Sequence, residues 1–410
     1  MDSKLILVDG NSLIHRAYHA LPPLETASGQ QTNAVYGFTT MLLKLLEQEN
    51  PTSLAVAFDI GRETFRTEHY SLYKAQREQT AEGLLAQFPL VRKVLAAFGL
   101  PYFEREGFEA DDIIGTLAMQ GAQAGFKILI VTGDKDALQL VDENINVLLT
   151  RRGITKLDLL DPAAVIAELG VKPTQVPDYK ALTGDVSDNI PGVPTIGPKR
   201  AAKLLEQFDS IEHIYENLSQ INKRWQELLL EHKDQVFLSR DLATIRCDVP
   251  LNCDWKECRL KQLQFERVEP LFRELEFNRL LERMFPQSAQ EAALDIKSQT
   301  NYRLLQTESD LKPWLRENIA TEFSFLVDEE EGEPAGVALA AGKATAYIPW
   351  PLIRTMRSFF ENKRLIKNTF HLKAALKQLA LVNVAVEGAS NDVLLASYLL
   401  NPTLGGQSID

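Results

Sequence analysis

Through residues 1–175 short apolar runs alternate with longer stretches whose apolar positions recur at helical spacing. Lys4-Leu5-Ile6-Leu7-Val8, Leu54-Ala55-Val56-Ala57-Phe58 and Ile128-Leu129-Ile130-Val131-Thr132-Gly133 are almost continuously apolar. That is the pattern of parallel strands covered on both faces. The stretches from Val35 to Glu47 and from Phe88 to Phe98 read as crossover helices. Alternation of this kind predicts an α/β fold with a parallel sheet. Residues 62–87 break the rhythm with basic and aromatic side chains on a polar background and read as an exposed insertion after the second strand. The expected organisation is an α/β core over 1–175, a mostly helical subdomain over 176–285 and a polar linker over 286–300. A second, partial α/β domain is expected over 301–410. The chain stops at Ile409-Asp410 without a closing element and reads as a fragment.

Each of the three runs delivers an acid: Asp9, Asp59 and Asp134. In an open α/β sheet, ligands bind beyond the carboxyl ends of the strands, so these acids are expected at one edge. More acids sit at element boundaries: Glu109-Ala110-Asp111-Asp112 opening a helix, Asp136 two residues after Asp134, and Asp185 with Asp188. Taken singly, these are ordinary caps and turns. Taken together they repel: two unit charges about 4 Å apart cost roughly 1 kcal/mol in water and roughly 4 at an effective dielectric of about 20. A pair of hard divalent cations is the best reason for such a cluster, Asp9, Asp59, Glu109, Asp111 and Asp112 serving one and Asp134, Asp136, Asp185 and Asp188 the other. All-oxygen sites suit magnesium or manganese.

The composition narrows the setting. A chain of 410 residues with 45% hydrophobic content holds two or more domains, and no apolar run reaches membrane-spanning length. Cys247, Cys253 and Cys258 do not match a zinc pattern and read as reduced thiols of a cytoplasmic protein. His15, His19, His213 and His232 read as surface or packing residues. The net charge of −12 argues against a uniformly basic nucleic-acid binder, so contacts to DNA must come from local patches. One is Gly192-Val193-Pro194-Thr195-Ile196-Gly197-Pro198-Lys199, read as a hairpin leading into a helix that carries Arg200 and Lys203. Glycines that admit a backbone, a helix start and these cations suit a DNA phosphate without reading sequence. The other combines Tyr73, Lys74 and Arg77, a stacking surface with charge that suits a single strand. Arg16, one and a half turns beyond Asp9, would also reach the acids.

These motifs resemble those of the flap endonuclease family, in the form of the 5′-nuclease domain at the N-terminus of bacterial DNA polymerases I. The likeness rests on Val8-Asp9-Gly10-Asn11-Ser12, Ala57-Phe58-Asp59, Arg62 with Arg66, Tyr73-Lys74-Ala75-Gln76-Arg77, Glu109 to Asp112, Thr132 to Asp136, Gly184 to Val193, Ile196 to Lys199 and Leu238 to Ile245, all in order. It implies a PIN-like nuclease core with a helical arch and a helix-hairpin-helix DNA-binding subdomain. By the resemblance, Tyr73, Lys74 and Arg77 belong to the arch that passes a 5′ single strand, Arg66 is a further nucleic-acid contact, and Lys74 and Arg77 act on the scissile phosphate beside Asp111. Gly192, Val193, Ile196, Gly197, Lys199, Arg200 and Lys203 hold the downstream duplex, with a potassium ion at the hairpin. The implied reaction leaves a 5′-phosphate and a 3′-hydroxyl at flaps, nicks and junctions, including RNA-primed DNA, and the implied state is a monomer. Ala81 stands where the family usually has proline. Residues 301–410 resemble the start of a ribonuclease H-like proofreading domain that lacks its acids: Ala320-Thr321-Glu322-Phe323-Ser324 keeps one at most, and none occurs near Lys367 to Leu372. The competing readings are a PIN-type ribonuclease, a DNA-structure-binding fragment without activity and, more remotely, a phosphatase.

Overall fold

The computed structural model describes residues 3–77, 79–152, 156–286, 302–330 and 333–400. The linker expected over 286–300 lies almost wholly outside them. The chain forms two compact units, Met1–Pro286 and Gln287–Asp410.

The first unit is a sheet of six strands: β1 (Lys4–Asp9), β2 (Ser53–Ala57), β3 (Tyr102–Phe103), β4 (Lys127–Thr132), β5 (Ile145–Arg152) and β6 (Lys156–Leu160). Their order is β3-β2-β1-β4-β5-β6, parallel except for β6 against β5. The three apolar runs therefore lie side by side, with Asp9 opposite Ala57 in register. The direction of winding reverses at β1, which makes the carboxyl edge of β1, β2 and β4 the switch-point crevice.

Alternate residues of each strand feed two cores. Leu5, Leu7, Ile128 and Ile130 pack under α5 (Ala110–Gln123) and under helices of residues 176–236. Ile6, Val8, Leu129 and Val131 pack under α1 (Gly10–Ala20), α2 (Asn33–Glu49) and α4 (Phe88–Phe98). Asp9 itself caps α1, its Oδ1 accepting from the Ser12 amide at 2.9 Å.

The insertion is less exposed than the pattern of residues 62–87 suggests. A short helix, α3 (Phe65–His69), leads into turns through residue 76, and Thr64, Arg66 and Tyr73 are buried. The helical subdomain contains α6 (Val176–Thr183), α7 (Pro198–Phe208) and α8 (Lys233–Ala243). The last two helices, α9 (Phe265–Glu274) and α10 (Asn278–Met284), correct the grouping made from sequence. Val268, Phe272, Leu280 and Leu281 pack back on the core beside α4.

The second unit is a mixed sheet, β7 (Tyr302–Leu304), β8 (Glu322–Glu330), β9 (Glu333–Ala341), β10 (Ala344–Pro349), β11 (Ile366–Thr369) and β12 (Ser390–Asp392), in the order β12-β11-β8-β9-β10-β7. Glu322 is exposed at the start of β8, and the side-chain amide of Asn368 on the adjacent strand β11 lies 3.5 Å from it. All three cysteines are free, and the sulfurs of Cys253 and Cys258 lie 3.7 Å apart. Among the described residues no helix is long and apolar enough to cross a membrane.

Candidate active site

Asp9, Asp59, Glu109, Asp111, Asp134, Asp136 and Asp185 line one cavity of about 900 Å³ at the carboxyl edge of the sheet. Local structure aims each of them. Asp9 is the last residue of β1 and accepts from Thr132 Oγ1 at 2.7 Å as well as from Ser12. Asp59 follows β2 and accepts from the Ala110 amide at 2.6 Å, while its own amide donates to Asn11 Oδ1. Asp134 turns back on the amide of Asp136 at 2.9 Å. Asp185 accepts from the amide and hydroxyl of Ser187, at 2.8 and 2.6 Å.

Crowding of like charge shows in the proton affinities. Burial first, then Asp59 and Asp134, push Asp9 up to about 7. Burial, Asp134 and Asp9 push Asp111 well above the usual carboxylate range, and burial with Glu109 raises Asp59. Asp185 moves the other way: Lys180 at 2.6 Å and Ser187 outweigh its burial and bring it down to about 2. Lys180 also contacts Asp136, so one ammonium bridges two of the acids. It lies on α6 five residues before Asp185, and nothing in the local pattern marks it.

His15 is a second residue that sequence reading missed. It lines the same cavity, edge-on to Phe88, and burial, His19 and Arg77 lower its pKa. Arg16 approaches the Asp134 turn: a Cβ added at Gly133 would lie 3.2 Å from its Nη2.

The structure separates two acids from the cavity. Asp112 is fully buried, both oxygens held by the Arg66 fork at 2.7 and 2.8 Å, and it closes a capping box on the Glu109 amide. Asp188 accepts from Arg77 at 2.6 Å and from the Tyr73 hydroxyl at 3.1 Å. Two expected nucleic-acid contacts change with them. Arg66 is 2% exposed and has no surface to offer a DNA strand. Tyr73 is 5% exposed, its hydroxyl donating to Glu109 and Asp188, so it braces the acids instead of stacking on a base. Lys74 and Arg77 do line the cavity, and Lys74 Nζ lies 2.9 Å from Glu109.

The hairpin divides in the same way. Val193 and Ile196 are buried in the core, whereas Lys199, Arg200 and Lys203 are exposed. Gly192 packs backbone to backbone: a Cβ there would meet the Thr183 carbonyl carbon at 2.4 Å. Around Gly197 nothing lies within 4 Å of such an atom. Gly192→Ala is therefore expected to cost about 2–3 kcal/mol of stability by overpacking, and Gly197→Ala no more than about 0.5. Urea unfolding of both variants checks this, and equal losses would refute the assignment.

Among the described residues no three His, Cys, Asp or Glu side chains already form a shell that could hold a metal ion. Lys74 and Lys180 sit among the carboxylates in its stead. The donors are nonetheless hard oxygens, and for Asp9, Asp59 and Asp111 burial and then neighbouring acids hold ionisation back, which fits divalent cations. A carboxylate raised from 3.8 to about 7, as Asp9 is, stabilises the fold fully below pH 3.8 and loses that contribution as pH rises to 7. The metal-free protein is expected to lose on the order of a few kcal/mol across that window relative to a chain without the cluster. Added Mg²⁺ should recover it, by about 2.7 kcal/mol at a hundred times its dissociation constant. Melting curves at pH 5 and 8, with and without Mg²⁺, test this. A magnesium shift as large at pH 5 as at pH 8 would contradict it.

Residues 4–170 match the family described as 5′–3′ exonuclease, N-terminal resolvase-like domain, and residues 171–266 match its C-terminal SAM fold. Residues 328–410 match the ribonuclease H-like domain of DNA polymerase I. Among curated proteins, DNA polymerase I of Bacillus subtilis is 39% identical over 420 residues, covering 99% of this chain and 46% of its own length. That of Mycobacterium tuberculosis is 35% identical over 414 residues, covering 97% and 46%. The chain thus spans about half the length of the curated relatives it matches. A crystal structure of the T5 D15 protein co-crystallised with metal ions shares the fold, with a TM-score of 0.50 and 23% identity over 58% of this chain and 89% of that one.

Proposed function

This chain belongs to the DNA polymerase I family, residues 4–266 forming the 5′–3′ exonuclease portion, and we propose that its acidic cavity hydrolyses DNA phosphodiesters at 5′ flaps, nicks and single-strand/double-strand junctions. One observation carries the reading: Asp9, Asp59, Asp111 and Asp134 converge on one cavity at the switch point of the sheet. Asp9, Asp59, Glu109 and Asp111 would hold one divalent cation and Asp134, Asp136 and Asp185 a second. When bound, such a pair supplies an ionised water and charge to offset the developing oxyanions of an in-line displacement.

The chain's own residues set up the rest. Lys74 and Arg77 present positive charge at the cavity wall, where the scissile phosphate would lie. Tyr73 and Arg77 hold the 70–77 segment on Asp188 and so place Lys74 beside Glu109. Lys180 lies against both Asp136 and Asp185 and lowers the proton affinity of Asp185, and it would have to yield both to a cation. Outside the cavity, Lys199, Arg200 and Lys203 at the start of α7 would neutralise duplex phosphates. The hairpin's own Val193 and Ile196 are buried, and Gln235 and Ser239 reach the carbonyls of Gly192 and Pro191. A potassium ion there would take backbone oxygens, a donor type that suits it, and no catalytic step depends on it.

The division at about residues 175 and 285 belongs to this reading, amended by the packing of α9 and α10 on the core. The second unit is read as a proofreading-type domain without its acids, Glu322 being the one acid of the Ala320–Ser324 stretch. A 3′-mismatched duplex should therefore release no 3′ nucleotide.

The reading is tested with a 5′-flap duplex labelled at both ends, incubated with Mg²⁺ or with EDTA. Cleavage near the junction that needs the cation is the expected result. Tight binding without cleavage would reduce the chain to a DNA-binding fragment, and faster cleavage of an RNA strand would favour the ribonuclease reading.

A further inference from the structure

Arg66 and Asp112 are both buried and unused by the reaction as derived above, although Arg66 Nη1 also lies 3.5 Å from Glu109 Oε2. Their bonds tie together segments that are far apart in sequence. Besides gripping Asp112, Arg66 donates from Nε to the Leu242 carbonyl at 2.9 Å and from Nη2 to the Thr244 carbonyl at 2.8 Å. Asp112 in turn accepts from the amides of Glu109 at 3.1 Å and Arg246 at 2.8 Å. The pair thus joins the root of the 65–77 segment, the acidic start of α5 and the chain leaving α8.

α8 reaches the hairpin from its other side. Ser239 Oγ donates to the Pro191 carbonyl at 2.7 Å, and Gln235 Nε2 to the Gly192 carbonyl at 3.1 Å. The chain just after α8 is also held by Gln139, whose Nε2 donates to the carbonyls of Ala243 and Asp136 and whose Oε1 accepts from the Ile245 amide. One helix therefore has the hairpin at its middle and both acid groups at its end.

A buried ion pair is poor evidence for stability, because desolvation offsets much of the attraction. What it does well is fix one arrangement, since a planar fork satisfies a carboxylate and two carbonyls in one geometry only. We propose that Arg66 is a positioning residue, the junction through which duplex held at the hairpin is coupled to the assembly of the acid cluster. This rests on the nuclease reading above for the identity of the duplex. In it, α8 passes any shift of the hairpin to the carbonyls of Leu242 and Thr244, Arg66 passes it to Asp112, and Asp112 sets the first turn of α5 with Glu109 and Asp111. Spatial continuity alone is an associational argument, so the test must measure coupling.

Two variants break the route at separate ends. Arg66→Lys keeps the charge and loses the fork. Ser239→Ala removes one hydrogen bond between α8 and the hairpin and touches no acid. In single-turnover cleavage, both should lower the preference for a flap duplex over a single strand of the same sequence, Arg66→Lys by about fivefold or more. The loss should fall on the rate at saturation and not on KM. The double variant should be non-additive, although distant sites ordinarily add.

A second measurement needs no turnover. Titration with Mg²⁺ alone should show tighter binding when a blunt duplex is bound, by a factor that Arg66→Lys removes while its melting curve stays cooperative. Unchanged substrate preference, additive effects or a magnesium affinity indifferent to duplex would each overturn the coupling. If the wild-type protein cleaves nothing yet shows the magnesium–duplex linkage, the nuclease reading fails and the coupling stands.

Discussion

Asp111→Asn is expected to lower magnesium-supported cleavage of a 5′-flap duplex by about 10²–10³-fold and, in the same protein, to raise the melting temperature measured in EDTA at pH 8. Both effects have one cause. Burial first, then Asp134 and Asp9, hold the Asp111 carboxyl well above the usual range. The fold opposes an ionised group at that place, so an isosteric amide, which carries no charge, relieves it. The same charge is what a divalent cation would recruit. Loss of activity with gain of stability is the signature of a site whose groups are placed for chemistry. Activity on the labelled flap and a thermal melt give the two numbers. A variant that loses both activity and stability would mean that Asp111 is a structural residue. One that keeps full activity would remove it from the metal site.

Asp112 shows why this pair of expectations must be assigned residue by residue. It adjoins Asp111, and a run of three acids in four residues invites one role for all of them. In the structure the two diverge, because α5 points Asp111 at the cavity and turns Asp112 inward to Arg66. The partner lies 46 positions away, and no spacing rule reaches that far. For the same reason the sequence leaves open whether Tyr73 stacks on a base or packs inward. Its position in a basic stretch suggested a surface, while its hydroxyl serves Glu109 and Asp188. Lys180 and His15 carried no signal at all, being single residues on amphipathic helices.

What the chain did disclose follows from short-range physics. A strand buried on both faces must be apolar throughout, so β1, β2 and β4 stand out, and an acid ending such a strand can only lie at the sheet's edge. The helices are legible from their stripes, yet a stripe does not say what covers it. Val268 and Phe272 are therefore visible as a buried face without any sign that α4 is their partner. Val193 and Ile196 follow the same logic: a DNA-facing hairpin must be supported from beneath, and its apolar residues do that.

Lys74→Ala is expected to lower turnover on a flap by about 10²-fold while leaving duplex affinity within about threefold, since the proposed function assigns duplex contacts to α7. Lys74 is 22% exposed at its side chain, and its Nζ lies 2.9 Å from Glu109 and 3.8 Å from Asp188. Burial works against its charge, but Glu109 and Asp188 outweigh it and raise the amine above its ordinary value, so it stays protonated at any working pH. The backbone adds a control. Lys74 has φ +54°, a left-handed conformation, and its amide donates to the Asp188 carbonyl at 2.9 Å. A glycine adopts that conformation without the penalty of about 1–2 kcal/mol that other residues carry. Lys74→Gly should therefore match Lys74→Ala in lost turnover and exceed it in melting temperature. Equal activity losses with that difference in stability would place the effect in the ammonium group. If only the less stable variant lost activity, the geometry of the 70–77 turn would be responsible, and normal cleavage by both would remove Lys74 from the chemistry.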